Sequence, residues 1–484
     1  MHRRAFLRAT AGVAGLGAAG RAGAHPTPTA GGGTQGTATA TDTPAADGPL
    51  GSVSLPDARE AVVDPDGTTV YVATSAGFAV VDASDPSDPT VLTRRDDLLA
   101  DRVGEPFRQV YDVKVDGDRL LAVGPAHGIS DVRRAAVVLD VSDPASPEVV
   151  GVHDTEYPIH NAFLADGVAY LTGNFVEGNP LVTVDVTGDP EELGRWSLLD
   201  HDEAWEDVAT SLRVLHDVYV QDGYAYLAHW DAGTWILDVS DPADPAVVSR
   251  VRGRPAGELA AFDTREERRR EGTELPGNDH YVAVDDTGTL LGIGEEGWDA
   301  DDDGAGGPGG IELYDVSDPT APQRLAVVEP PPTDDPSYGG TWTTAHNFEL
   351  TDGYLYSSWY QGGVRIHDVS DPTAPREVYA WRDSERTRFW TARLARPEEF
   401  FVAASMPDPG DEDDGGALYT FPDVERSTPT PTPEPTPPPE RESSTAAEAG
   451  DPEAAGGVGP GLGPLAALAG LGGVTALLRR RKSD

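Results

Sequence analysis

One short phrase recurs six times along this chain and limits its fold more than any other feature. Most copies read D-V-S-D-P-x-x-P, and most are separated by roughly 40 to 60 residues. Repeats of this length are typical of four-stranded propeller blades rather than of helical solenoids. The copies occupy residues 81–86, 139–144, 184–190, 237–242, 314–319 and 367–372.

The residues around each phrase predict four strands per repeat. An alternating apolar segment interrupted by a turn precedes the phrase, as in 218–227, where Asp222-Gly223 separates two runs of period two. Asp-Gly between such runs is a strong hairpin signal. In the phrase itself, the aspartate side chain can cap its own turn and the proline restrains φ. We therefore expect strands A and B, joined by the D-G turn, then strand C, the S-D-P corner and strand D.

The end of the repeat region supplies a seventh blade. Beyond the sixth phrase, segments 391–394, 400–404 and 417–421 fit strands A, B and C of a further blade. Its missing strand D can come from 51–55, at the start of the repeats. The sequence thus predicts an all-β fold, a seven-bladed β-propeller of four-stranded blades, in which an N-terminal strand closes the last blade.

The repeats resemble LVIVD repeats, a propeller family found on archaeal and bacterial surface proteins. The resemblance covers about residues 50–424, the predicted propeller domain. It implies a propeller fold and a surface location, and it implies no particular biochemical activity.

The charge of the chain indicates the medium in which the protein works and disfavours one class of partner. The formal net charge is -47, from 83 acidic and 36 basic residues, and the only lysines are Lys114 and Lys482. Concentrated salt screens such self-repulsion, so we expect an extreme halophile, an archaeon. A nucleic acid partner is disfavoured because no basic face is available to displace counterions. The absence of cysteine excludes disulfides and thiolate chemistry.

The N-terminus has the pattern of an export signal. Arg3 and Arg4 precede Phe6-Leu7 and a weakly apolar run, and small residues follow at 22–24. This resembles a twin-arginine signal peptide over 1–24, which exports folded proteins. Residues 25–49 contain almost no large apolar side chain and are predicted to be a disordered linker.

The C-terminus has the pattern of a surface anchor. A Pro/Thr-rich stalk is predicted over 425–457, an uncharged apolar segment long enough to span a bilayer over 458–478, and a cytoplasmic basic tail over 479–484. Pro460-Gly461-Leu462 resembles a haloarchaeal sorting signal whose third residue is usually Phe. A cleaved, lipid-anchored end and a retained transmembrane helix both remain open, and both place the propeller on the extracellular face of the membrane.

Alignment of the repeats on the D-G turn brings four histidines to one equivalent position, the entry to strand A. Tyr111 and Trp390 occupy this position in blades two and seven. Turns from D to A and from B to C share one face of a propeller, so B-to-C loop residues should surround the same channel mouth. The four histidines are His160, His216, His280 and His346. The loop candidates are His127, Asn174, His229, Trp230, Asp231, Glu295, Glu296, Trp359 and Tyr360.

Two interpretations of the histidines are open. In the first, the four imidazoles, with Glu295 and Asp231, bind a divalent transition metal, because imidazole suits Zn, Cu, Fe or Ni. In the second, the histidine is a structural element of the repeat, and each imidazole hydrogen-bonds to the backbone of a neighbouring blade.

A separate acidic loop is a candidate calcium site. Asp299, Asp301 and Asp303 stand at positions 1, 3 and 5 before Gly304, the spacing of a calcium loop. A solvated acidic loop in a halophilic protein explains the same residues.

The sequence favours a cell-surface binding or interaction module. It would hold a cell-envelope or extracellular ligand on its loop-rich face, the face that carries the D-to-A and B-to-C loops. The alternative is a metal-dependent extracellular enzyme, a hydrolase or an oxidoreductase, with Glu295 or Asp231 as base beside the histidine ring. A third class is a structural component of the cell envelope. No motif identifies a reaction, and the fold alone does not decide among these classes.

Overall fold

The computed structural model describes residues 48–426 except 101, 103, 302–305 and 408–414. The predicted signal peptide, the apolar segment 458–478 and the basic tail lie outside these residues, as do the linker up to 47 and the stalk from 427 onward. Among the described residues, no helix combines the length and the hydropathy that a membrane crossing requires.

The strands form seven antiparallel sheets of four strands, which are the predicted blades. Each sheet pairs its strands in the order A, B, C, D. Strand β1 (Gly51–Ser54) comes first in the chain. Blades one to three comprise β2 (Ala58–Val63), β3 (Thr69–Thr74), β4 (Gly77–Asp82), β5 (Thr90–Arg95); β6 (Asp112–Asp116), β7 (Arg119–Gly124), β8 (Ala135–Asp140), β9 (Glu148–Asp154); and β10 (Ala162–Ala165), β11 (Val168–Thr172), β12 (Leu181–Asp185), β13 (Glu191–Trp196).

Blades four to six follow the same order, and blade seven ends the described chain. They comprise β14 (Asp217–Gln221), β15 (Tyr224–His229), β16 (Gly233–Asp238), β17 (Ala246–Arg250); β18 (Asp279–Val284), β19 (Leu290–Glu295), β20 (Ile311–Asp315), β21 (Gln323–Val328); β22 (Phe348–Thr351), β23 (Tyr354–Ser358), β24 (Val364–Asp368), β25 (Arg376–Trp381); and β26 (Arg388–Arg396), β27 (Phe400–Met406), β28 (Ala417–Pro422).

Short helices lie in two of the long loops between blades. The loop before blade four contains α1 (Leu198–His201) and two 3-10 helices (Glu203–Asp207 and Thr210–Leu212). The loop before blade five contains α2 (Ala256–Leu259) and α3 (Arg265–Glu271). Thr264 caps α3 in a capping box with Glu267.

Closure of the ring occurs as predicted, through the N-terminal strand. Strand β1 pairs with β28 over four residues, from Gly51 opposite Thr420 to Ser54 opposite Ala417. It supplies the outermost strand of blade seven, next to β28, β27 and β26. The first strands of neighbouring blades contact each other at all seven junctions, including that of β26 with β2. The two ends of the described chain therefore meet in one sheet.

The hydrophobic core lies between the blades rather than inside any one of them. Each of the seven interfaces between neighbouring blades contains its own cluster of buried apolar side chains. Leu418 of blade seven, for example, packs in one cluster with Val70 and Val81 of blade one. Inner strands are consequently buried on both faces, as β27 is along its whole length, whereas the outermost strand β5 is largely exposed.

The repeated phrase forms a corner held by two aspartates. The first aspartate accepts hydrogen bonds from the residue two positions later: Ser142 donates to Asp140 through its backbone N–H at 3.0 Å and its hydroxyl at 2.6 Å. The second aspartate of the phrase does the same, since Asp143 accepts from the Ala145 N–H at 3.1 Å. The predicted structural corner is thus confirmed, with the side-chain turns typical of Asp followed by Ser or Thr.

The corner of one blade also contacts the preceding blade. The carbonyl of the corner proline accepts a hydroxyl hydrogen bond from the neighbouring sheet, 2.6 Å from Thr183 to Pro242 and 2.6 Å from Ser249 to Pro319. At the closing junction, Thr420 donates to Pro86 in the same way at 2.5 Å. One sequence phrase therefore shapes its own sheet and links it to the sheet before it.

The corner carboxylates predict that the fold loses stability in acid. Hydrogen bonds from Ser142, together with Arg119, lower the pKa of Asp140 from 3.8 to about 2. Because the folded pKa is the lower one, this stabilisation is present above about pH 4 and is lost as the pH falls towards 2. We expect the free energy of unfolding, from denaturant titration in concentrated salt, to fall across this window and to fall less in Asp140→Asn.

The matched control is Asp66→Asn, at an exposed turn residue outside the corners. It should show the pH dependence of the unaltered chain. Equal acid sensitivity in the unaltered chain and in Asp140→Asn contradicts the prediction.

Candidate functional site

A ring of seven equivalent side chains, one from each blade, surrounds one mouth of the central channel. The predicted positions in blades two to seven are confirmed, and the ring rests on the entry to the seven first strands. Neighbouring ring centroids lie 4.4 Å apart for His160 and His216, 3.8 Å for His216 and His280, and 4.9 Å for His280 and His346. The members are Arg59, Tyr111, His160, His216, His280, His346 and Trp390.

Arg59 is the member of the ring that the sequence prediction missed. Its guanidinium carbon lies 4.9 Å from the centroid of Tyr111 and 5.6 Å from that of Trp390, so it stands between blades two and seven. The Asp-Gly turn of blade one, Asp66-Gly67, lies seven residues after Arg59, whereas the turn aspartate lies six residues after each of the histidines. Counting six residues back from Asp66 gives Glu60, so the alignment on the turn missed Arg59 by one position.

The ring forms the floor of a cavity of about 320 Å³. Four of the predicted B-to-C loop residues line it: His127, Trp230, Glu296 and Tyr360. The remaining walls come from residues that were not predicted individually, although Tyr338 and Trp342 lie in the long D-to-A loop on this face. These additional lining residues are Trp298, Tyr338, Trp342, Arg388 and Met406.

Backbone carbonyls hold three of the four histidines. Nδ1 of His160 lies 3.2 Å from the carbonyl of Ala126, Nδ1 of His216 lies 2.7 Å from that of His280, and Nδ1 of His346 lies 2.6 Å from that of Trp390. In each case the carbonyl belongs to a neighbouring blade, so the structural interpretation is confirmed for these three residues. Nδ1 must donate to a carbonyl, which leaves Nε2 as the unprotonated nitrogen of the neutral ring.

His280 differs from the other three, because its Nδ1 is buried without a hydrogen bond to any described residue and lies near a carboxylate instead of a carbonyl. Its Nδ1 lies 3.1 Å from Oε2 of Glu296, and its Nε2 lies 3.2 Å from Nε2 of His346. The other carboxylate oxygen of Glu296 accepts a hydrogen bond of 2.6 Å from the Tyr360 hydroxyl. Across the described part of the chain, His280, Glu296 and His346 form the one group of three potential metal ligands, with ligand atoms within 4.8 Å of one another.

Burial keeps the histidines neutral. It lowers the pKa of His280 and His346 to about 3, and the neighbouring histidine adds to the effect for His346. Burial and the adjacent histidines also lower the pKa of His160 and His216 well below the usual value. Burial raises the pKa of Glu296. Neutral imidazoles are the form that binds metal ions.

Two carboxylates predicted for this site lie elsewhere. Glu295 is the last residue of β19, and its carboxylate lies 2.6 Å from Arg252, which also contacts Glu312 at 2.9 Å. Glu296, the first residue after the strand, lines the cavity, and Glu295 does not. Asp231 packs against Gly277 and does not line the cavity. The prediction that Glu295 and Asp231 belong to the histidine site was therefore wrong.

The other predicted loop residues, Asn174, His229 and Trp359, do not line the cavity. Asn174 is buried and accepts a hydrogen bond of 2.9 Å from the N–H of His160, which helps to orient that strand entry. His229 contacts the carbonyl of Arg213 at 3.4 Å, and Trp359 is fully buried.

The candidate calcium loop remains a prediction. Asp299 is buried, and the carboxylate of Asp301 pairs with Arg270 at 2.9 Å. Asp303 lies outside the described residues. Two of the three proposed ligands are thus placed, and Arg270 competes with calcium for one of them.

A layer of buried charge lies below the histidine ring. Glu60 accepts hydrogen bonds of 2.5 Å from both Arg393 and Asn347. Arg393 also donates to the Tyr281 hydroxyl at 2.7 Å, and Lys114 pairs with Asp112. Below this layer, at the other ends of the first strands, is a second cavity of about 370 Å³. The network therefore lies along the first strands between the two cavities.

Comparisons with known proteins agree with the fold. The LVIVD repeat model matches residues 66–97, 129–155, 214–252 and 344–382, so LVIVD repeats are present. The structure is similar to the β-propeller domain of Cps50 (Swd1) from Myceliophteria thermophila, with a TM-score of 0.51 and 9% sequence identity, over 77% of this chain and 99% of that chain. No curated protein matches the chain in sequence. A likeness at this identity concerns the fold alone and assigns no function.

The buried ion pair between Glu60 and Arg393 should stabilise the channel. In Glu60→Gln, Arg393 loses its charged partner in an environment where Glu60 is fully buried. Removing one partner of a buried pair leaves an uncompensated charge, so we expect the free energy of unfolding to fall by about 3 kcal/mol. Denaturant titration in concentrated salt measures this change.

Glu399→Gln is the control. It removes an ion pair of the same type, with Arg396, at a site where Glu399 is 57% exposed. Such a pair contributes less than about 1 kcal/mol. Similar losses in the two variants contradict a special contribution from the channel pair.

Proposed function

We propose that this LVIVD-repeat propeller is a cell-surface binding module that takes a saccharide unit into the cavity above the histidine ring. The observation that carries the proposal is the cavity itself, about 320 Å³ in volume and lined by aromatic and imidazole rings contributed by the blades around the channel. Small-molecule sites of proteins start at about 300 Å³ and combine apolar or aromatic walls with a few polar groups.

The outer wall of the cavity presents aromatic faces to a ligand. Tyr338 is 59% exposed, and its ring lies 5.0 Å from Trp298 and 5.2 Å from Trp342 in edge-to-face and tilted contacts. Trp342 in turn lies 5.2 Å from Tyr360. Rings that already pack on one another lose little conformational entropy when a ligand covers them. The apolar C–H face of a sugar ring fits such a surface.

Polar groups at the base of the cavity suit the hydroxyl groups of a sugar. Glu296 can accept hydrogen bonds, and Arg59 and Arg388 can donate them. The strongly negative net charge of the chain repels polyanions, which favours a neutral saccharide over an acidic one.

Neither carboxylate that was a candidate for the base of a metal-dependent enzyme lines the cavity beside the histidines. The enzyme alternative required Glu295 or Asp231 as a base beside the histidines, and Glu295 is engaged by Arg252 while Asp231 packs against Gly277. We therefore propose binding rather than catalysis.

The surface location rests on the two ends of the sequence. The twin-arginine pattern at Arg3-Arg4 supports export of the folded propeller, and the apolar segment 458–478 followed by basic residues supports retention at the membrane with the propeller outside. A binding site on the face opposite the corners would then be open to the extracellular medium.

Saccharide binding can be tested with tryptophan fluorescence, because four tryptophans line the cavity. Titration with glucose, galactose, mannose and N-acetylglucosamine in concentrated salt should change the emission for at least one sugar. At a concentration 100 times its Kd, that sugar should raise the free energy of unfolding by about 2.7 kcal/mol. Tyr338→Ala should weaken binding about tenfold, a loss of about 1.4 kcal/mol.

The matched control is Phe175→Ala, because Phe175 is 51% exposed in the B-to-C loop of blade three and does not line the cavity. It should bind as the unaltered chain does. Failure of all the sugars to bind, or equal effects of the two substitutions, contradicts the proposal.

Anchoring can be tested in cells by cutting the chain after residue 457. Without the apolar segment, the exported propeller should appear in the culture medium instead of the membrane fraction. Substituting Arg3 and Arg4 by lysine should stop export and leave the protein inside the cell, whereas Arg8→Lys, which preserves the pair, should not. Membrane retention of the shortened chain, or export without the arginine pair, contradicts the proposed route.

A further inference from the structure

We propose that the histidine ring binds one divalent transition-metal ion between Nε2 of His280 and Nε2 of His346. The remaining coordination positions are open to the cavity that both residues line. The ion belongs to the class that prefers imidazole ligands, such as Zn²⁺ or Cu²⁺. This inference is independent of the saccharide proposal, because metal binding can be measured with no sugar present.

The distance between the two nitrogens matches the edge of a coordination tetrahedron. Nε2 of His280 and Nε2 of His346 lie 3.2 Å apart. Two imidazole nitrogens that each lie about 2.0–2.1 Å from one tetrahedral metal ion are separated by about 3.3 Å. The side chains therefore need little rearrangement to share an ion.

The proton positions on His346 and His216 also suit a metal. Nδ1 of His346 lies 2.6 Å from the carbonyl of Trp390, and Nδ1 of His216 lies 2.7 Å from that of His280. Each Nδ1 therefore carries the proton, and each Nε2 carries a lone pair. A hydrogen bond from the distal nitrogen to a carbonyl is the usual way in which proteins orient a metal-binding histidine.

The position of the single proton on neutral His280 determines whether a cation is favoured between the two Nε2 atoms. With the proton on Nδ1, His280 faces the Glu296 carboxylate favourably at 3.1 Å, but the Nε2 lone pairs of His280 and His346 then oppose each other at 3.2 Å. A cation between these two nitrogens converts that repulsion into attraction. Glu296 then orients His280 as a carboxylate commonly orients a metal-binding histidine.

The competing arrangement is a chain of hydrogen bonds that contains no metal ion. A protonated Glu296 would donate to Nδ1 of His280, and Nε2 of His280 would donate to His346. Burial raises the pKa of Glu296, which supports this arrangement, whereas the hydrogen bond of 2.6 Å from Tyr360 stabilises the carboxylate form. The two arrangements differ in one measurable property, the retention of a metal ion.

His216 adjoins the site without belonging to its group of potential ligands. Its ring centroid lies 3.8 Å from that of His280, but the ligand atoms that lie within 4.8 Å of one another belong to His280, Glu296 and His346 among the described residues. Two imidazoles leave positions on a four-coordinate ion for water or an external ligand. A hydroxyl group of a bound molecule could occupy one of these positions.

The test uses the full chain, purified in concentrated salt, stripped with a chelator, loaded with Zn²⁺ alone and dialysed. Elemental analysis should find about one zinc per chain in the unaltered protein. His346→Ala and His280→Ala should lower the affinity for zinc at least tenfold, and Glu296→Gln should lower it 10- to 100-fold, the usual effect of removing a carboxylate behind a metal-binding histidine.

His153→Ala is the matched control, because His153 lies on β9 and does not line the cavity. Zinc held by the acidic surface is the same in all variants, so the difference between His346→Ala and His153→Ala reports the site. Loading with Co²⁺ gives a second readout, since nitrogen ligands in a tetrahedral site intensify its visible absorption. Thermal unfolding of each variant shows whether it remains folded, and Glu296→Gln conserves the shape of the side chain.

Two results overturn the proposal. One is that the unaltered protein retains no zinc and gives no cobalt spectrum. That result favours the arrangement of hydrogen bonds without a metal ion. The other is a folded His346→Ala variant that retains zinc as tightly as His153→Ala does.

Discussion

Closure of the ring by the pairing of β1 with β28 is the constraint on which the rest of this structure depends. Each four-stranded sheet has two apolar faces, and each face is buried only by a neighbouring sheet. An open row of seven sheets would leave the outer faces of blades one and seven in water. The strand Gly51–Ser54 prevents this, because it places the first segment of the repeats in the last blade and brings Leu418 against Val70. Burial of apolar area is the main favourable term in folding, so closure adds a whole interface to the core.

The closed ring also explains why chemistry concentrates at the axis. A position that recurs once per repeat becomes a circle of side chains around the channel, with neighbouring imidazole rings as close as 3.8 Å. Crowding and burial keep these imidazoles uncharged, and carbonyls of neighbouring blades determine which nitrogen is free. The same contacts therefore serve the structural role and prepare the nitrogens for a ligand. A repeat that is selected for packing can acquire a binding site in this way.

Charge is distributed unevenly between the surface and the channel. The chain as a whole is strongly acidic, yet Arg393 is buried at the axis, and Lys114, the only lysine among the described residues, lies beside it in the channel. Glu60 and Asp112 accompany these cations, because a buried charge without a partner is costly. This buried layer separates the histidine cavity from the opposite mouth. Access to the proposed site is therefore from the loop-rich face.

The sequence alone determined the local and repetitive parts of this protein. The phrase at 139–144 specified a corner because Asp140 and Asp143 bond to residues only two positions away. The register of His216 and His346 followed from counting back to the D-G turn, since the period of a strand is constant. The number of blades and the closing strand followed from the same count. Each of these inferences depends on interactions within a repeat or on the repetition itself.

Only the tertiary structure decided which side chains meet. Glu295 and Glu296 are adjacent in sequence, yet the carboxylate of the first lies beside Arg252 and that of the second beside His280. Glu60 and Arg393 are separated by 333 positions and meet only because the ring closes. Arg59 completes the histidine ring from a blade whose Asp-Gly turn, Asp66-Gly67, lies one residue further along than in the blades of His160, His216 and His346. Contacts of this kind depend on the path of the whole chain, because hydrogen bonds and ion pairs at the axis join residues from different blades and no local pattern encodes their partners.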